Sequence, residues 1–182
     1  VLMALTLIST HTASASATLD ITSGIDSTYA SYEFHFVNMN PATDAAEFTF
    51  QANAAGASGF NETMTTTVFT AYHAEDNSYS NLGYNTANDQ AQGTAYQALS
   101  LNTANDADSG VNGILTLYAP SSTTYVKHFV TRVAYMHEHS DAWDVYTAGY
   151  INVTAAIDEI SFKFSSGNID AGVIKMYGIA KA

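Results

Sequence analysis

The densest run of side chains able to do chemistry is His-Glu-His-Ser-Asp, His137 to Asp141, with Trp143 and Asp144 close behind. Imidazole nitrogens and carboxylate oxygens together form a donor set suited to a divalent transition metal. In an extended chain alternate residues share a face, so His137, His139 and Asp141 are the candidate ligands. The competing reading is a polar hairpin tip after a strand that ends near Met136. The spacing is not the HExxH of a metalloprotease, whose two histidines lie one helical turn apart. No firm metal site and no cofactor is therefore expected.

Two weaker clusters follow. Tyr72 to Asp76 joins His73 to Glu75 as a possible base and acid, but supplies no nucleophile and no oxyanion donors. Asn105 to Gly110 offers Asp106 and Asp108 to calcium, yet lacks the glycine and terminal glutamate of an EF-hand. The chain has no GxSxG, no phosphate loop and no dinucleotide-type glycine fingerprint. It has no cysteine, which removes thiol catalysis, disulfides and thiolate zinc sites together. On these residues the expectation is a protein that is not an enzyme.

Aromatic side chains suggest a different chemistry. Twelve tyrosines and a single tryptophan are present, and exposed rings flanked by Asn and Asp are how many β-sandwich domains hold sugars. Tyr79, Tyr84, Trp143 and Tyr146 are the candidate glycan-contact residues. Packing in the core or in subunit interfaces is the competing role for each.

The elements that must position these residues are strands. Tyr32, Phe34 and Phe36 alternate with Glu33 and His35; Phe48 and Phe50 alternate with Glu47, Thr49 and Gln51; Ile160, Phe162 and Phe164 alternate with Ser161 and Lys163. Period-two patterning of this kind predicts sheets with one buried and one wet face. Further strands are predicted over Thr65–His73, Ala95–Leu101, Gly113–Tyr118, Tyr125–Met136, Val145–Val153 and Val173–Ile179. No sustained apolar stripe at helical spacing occurs, so little helix is expected. Turn-rich segments such as Asn40 to Asp44, Glu75 to Asn81 and Ser165 to Gly172 separate the strands. The predicted fold is all-β: a two-sheet β-sandwich of jelly-roll type, with residues 1–18 as an N-terminal arm and 19–182 as a single domain. The apolar start of the arm (Leu5, Leu7, Ile8) makes it a candidate inter-subunit contact.

Composition limits the partners. The 182 residues carry 5 Lys+Arg against 17 Asp+Glu, a formal net charge of −12. Such a surface repels phosphate backbones and anionic lipid, so neither nucleic acid nor membrane is an expected partner. Only 12% of residues are charged, about half the usual share. Thr, Ser, Asn and Ala fill the gap, a balance suited to extensive subunit packing.

Four long phrases, Ser23 to Gln51, Ala91 to Gln97, Pro120 to Phe129 and Ala148 to Ala180, resemble a family of small structural proteins encoded in marine tailed phages of the cyanophage type. The resemblance runs from about Met3 over nearly the whole chain and implies a virion component on the surface of a phage particle. It brings no catalytic residues, and the His137–Asp141 run falls between the matching phrases. The expected function is a capsid decoration or cement protein, binding the shell as a homotrimer, with itself and the major capsid protein as partners. The alternative is a receptor- or carbohydrate-binding knob of a tail or fibre, with a host surface glycan as partner.

Overall fold

The alternation becomes thirteen strands in the computed structural model, which describes residues 5–181. There is no helix among the described residues, and so none long and apolar enough to cross a membrane. The larger of two antiparallel sheets runs β1 (Leu5–Ser16), β13 (Ile169–Ile179), β3 (Ser31–Pro41), β9 (Val111–Tyr118), β10 (Lys127–Met136), β11 (Asp141–Ile151), β5 (Met64–Ala74), β6 (Ser80–Tyr84), with β7 (Ala91–Gly93) also paired to β5. The smaller runs β2 (Leu19–Ile21), β12 (Ile157–Phe164), β4 (Phe48–Ala54), β8 (Gln97–Ala98). The chain is an all-β, two-sheet sandwich.

Phenylalanines read from the alternation meet between the sheets. Phe36 of the large sheet packs edge-on against Phe48 and Phe162 of the small one, at 5.1 and 5.2 Å between centroids. Phe50 meets Phe129 at 4.9 Å. Edge-to-face pairs align the positive rim of one ring with the negative face of another, which adds to the gain from burial. Beside this core β9 and β10 run so close that a Cβ on Gly113 would stand 2.2 Å from the Arg132 carbonyl oxygen. Only glycine fits there.

Several expectations need correcting. The strand β4 was expected to have one wet face, but every residue in it is buried. Gln51, pointing away from the phenylalanines, donates through Nε2 to the carbonyls of Glu62, Thr94 and Ala95, so neighbouring loops roof that face. The predicted strand Ala95–Leu101 shrinks to Gln97–Ala98, and β6 begins at Ser80, inside the turn-rich stretch that ends at Asn81. The expected arm is a strand: Leu5, Leu7 and Ile8 lie in β1, which pairs with β13 from Leu5↔Ile179 to Ser16↔Ile169. Residues 1–4 of that arm lie outside the described residues.

Candidate functional site

Chemistry-bearing residues collect at the hairpin joining β10 to β11. Met136 pairs with Ala142, and the His137 amide donates to the Asp141 carbonyl at 3.0 Å. The Ser140 amide donates to the His137 carbonyl at 2.9 Å, and Ser140 has φ of 60°. A tight turn followed by one left-handed residue is the standard three-residue hairpin loop. The run is therefore not extended. Asp141 does not join the histidines' donor group and Glu138 does: one ligand atom each from His137, Glu138 and His139 lies within 4.8 Å of the others. Among the described residues this is the only group of three or more potential metal donors so placed.

The loop is braced from outside. The Asn102 carbonyl accepts the Glu138 amide at 2.9 Å, and Asn102 Nδ2 donates to Glu138 Oε1 at 3.0 Å. The buried His137 ring stacks on Trp143, with centroids 4.6 Å apart and planes at 13°. Tyr72 stacks on the other face of the indole at 4.5 Å and 12°. Tyr72 belongs to β5 and His137 follows β10, the two strands on either side of β11, so each ring reaches Trp143 from its own side. Burial holds His137 below the usual histidine range.

The four candidate sugar-contact residues do not form one patch. Trp143 shares the inward parity of Val145 and Thr147, whereas Tyr146 faces outward, because successive strand residues point to opposite faces. Both faces of Trp143 are covered, which leaves no platform for a pyranose ring. Tyr79 donates a short hydrogen bond to Asp141, and this holds its phenol pKa up to about 12. Tyr84 stands across from Phe69 on the outer face and donates to Asp89 at 2.6 Å. Tyr146 lies parallel to Phe69 at 4.6 Å, with the Arg132 guanidinium 5.0 Å from its centroid.

These last residues belong to a row crossing the whole outer face of the large sheet. Cross-strand register aligns Tyr84, Phe69, Tyr146, Arg132, Ile114, His35 and Lys175. Among the described residues, all the strongly exposed large apolar side chains but Tyr79 and Tyr125 stand on this face. In this row and the two beside it the acidic residues are Glu33 and Asp144. Each is paired, Glu33 with His35 at 2.7 Å and Asp144 with Arg132 at 2.7 Å. A strongly acidic protein thus carries one broad face that is apolar and locally balanced in charge.

His73 and Glu75 form no hydrogen bond with each other among the described residues. The Asp106 carbonyl accepts from the Ser109 amide in its own loop and from the Asn40 side chain of β3. One residue of interest was missed in the sequence. Lys127 is fully buried, and its Nζ donates to the carbonyls of Tyr125, Val153 and Thr154 at 2.7, 3.2 and 3.2 Å. The signal was available: Lys127 has the inward parity of Phe129, Val133 and Tyr135.

No protein-family model, curated protein or solved structure matches the chain.

Proposed function

We propose that the protein is a non-enzymatic surface component of a phage particle: a decoration protein that grips the capsid shell as an oligomer, specifically a trimer. The observation that carries this reading is the gathering of exposed apolar and aromatic side chains on the outer face of the large sheet. Contiguous apolar surface of this kind marks a contact surface, and depletion of unpaired charge is what subunit interfaces share. The rest of the acidic surface keeps free copies apart before they dock.

Topology and sequence support the same reading. The pairs β1 with β13, β2 with β12, β3 with β9 and β4 with β8 nest as in a long hairpin rolled into two sheets. We read this as a jelly roll, an architecture frequent in capsid and lectin domains. The phage-like phrases lie mainly in these rolled strands.

The test is the protein's position in a density map of the intact virion, together with its mass by sedimentation. Icosahedral positions on the shell and a trimer in solution are the expected result. Absence from the particle overturns the proposal. A place on the tail axis favours the second reading, a host-binding knob. One observation speaks for that reading: Tyr84 is exposed beside Phe69 with its hydroxyl on Asp89, an apolar ring next to a polar acceptor. Binding of a host glycan that is lost in Tyr84→Ala would establish it.

A further inference from the structure

We propose that the tip of the β10–β11 hairpin binds a divalent transition cation of the zinc class through the side chains of His137, Glu138 and His139. Two imidazoles and one carboxylate are the donor set of zinc sites that keep a coordination position open. In this loop one ligand atom from each residue already lies within 4.8 Å of the other two. Tetrahedral zinc places its ligand atoms ~3.3 Å apart, given Zn–N bonds of about 2.0 Å. Side-chain rotation closes that difference, and the His139 side chain, 68% exposed, is free to rotate.

The other two ligands are held in advance. The His137 ring is pinned against Trp143, and its Nδ1 lone pair turns into the loop, where the His139 amide approaches at 3.3 Å. That contact is long enough to yield to a stronger partner. Glu138 is steadied by Asn102 through both its amide and its carboxylate. Two fixed donors and one mobile donor form a clamp, which lowers the ordering cost of capturing an ion. Asp141 takes no part, because its carboxylate is engaged by Tyr79. Nitrogen donors select zinc, nickel or copper over magnesium and calcium, which prefer all-oxygen shells.

A chain of net charge −12 gathers cations weakly over its whole surface, so the experiment must separate site from atmosphere. Zinc is titrated calorimetrically into the 182-residue chain with millimolar magnesium present. Expected is one zinc per chain, with affinity about tenfold or more weaker in His139→Ala and in Glu138→Gln. His73→Ala, which removes an exposed histidine on the outer face of β5, leaves it unchanged. Copper titrated in parallel quenches Trp143 emission at the same stoichiometry, and His139→Ala abolishes this. Equal zinc affinity in wild type and a His139→Ala variant of matched melting temperature overturns the proposal. So does binding that magnesium competes away, or the absence of saturable binding. The phage-particle reading stands or falls separately, on the virion map.

Discussion

The imidazole of His137 lies almost parallel to the indole of Trp143, 4.6 Å between centroids and 13° between planes. Trp143 is the single tryptophan of the chain, so its fluorescence reports on this stack alone. Aromatic pairs contribute about 0.5–1.5 kcal/mol beyond the area they bury. His137→Ala is expected to destabilise the fold by about 1 kcal/mol in urea titrations. It should also raise acrylamide quenching of Trp143, because one face of the indole is uncovered. Unchanged quenching would show that the ring is not covered by His137 in solution.

Lys127 places an ammonium group among three backbone carbonyls, with no carboxylate in ion-pair range among the described residues. Removing it leaves buried acceptors without a donor and also opens a cavity. Lys127→Ala is expected to cost about 3 kcal/mol or more, read as a lower urea midpoint at constant slope. A loss below about 1 kcal/mol would mean that water reaches these carbonyls.

Ser140 adopts φ of 60° at the bulge position of the hairpin loop. A left-handed backbone costs an L-residue about 1–2 kcal/mol, whereas glycine adopts it freely but loses more chain entropy on folding. Ser140→Gly should therefore raise stability by up to about 1 kcal/mol. Thermal melting checks this, with Ser140→Val expected to lower the midpoint.

His11 faces inward from β1, opposite Ile174, with Nε2 2.9 Å from the Ser9 hydroxyl. Burial lowers its pKa below 6.5. The folded chain then takes up this proton less readily than the unfolded chain. Its share of stability is complete above pH 6.5 and is lost as pH falls through the lowered value. Wild type should lose stability between pH 7 and pH 5 relative to His11→Gln, and amide exchange in β1 should speed up over the same range. Glu47, whose pKa burial raises, titrates in the opposite sense and cancels in the difference. Parallel pH curves for the two proteins would refute this assignment.

The fold was legible where alternation was unbroken. In β10, and in β3 as far as Phe36, the apolar parity in the sequence is the buried parity in the structure; in β12 Ser161 is buried along with Ile160, Phe162 and Phe164. It was illegible where pairing is decided by tertiary partners. Ser80 and Asn81 read as the end of a turn but begin a strand, because β5 offers an open edge. The polar parity of β4 is buried because loops distant in sequence satisfy Gln51. At the hairpin tip the right residue types were visible but the third partner was not. Parity selects Asp141, while the left-handed turn at Ser140 selects Glu138. The outer-face row could not be seen at all, since register across seven strands is not written in any one segment.

The nested strand pairs also govern the order of events during synthesis. Among the described residues β1 pairs only with β13, and β2 only with β12, so each must wait for a segment more than a hundred residues downstream. Until β13 leaves the ribosome, β1 has no partner and one edge of β3 stays open. Such distant closures fold slowly and leave strand edges open to neighbouring chains. Where many copies are made at once, the nascent chain therefore depends on its surface charge, or on a chaperone, to stay apart from its neighbours until the last strand arrives.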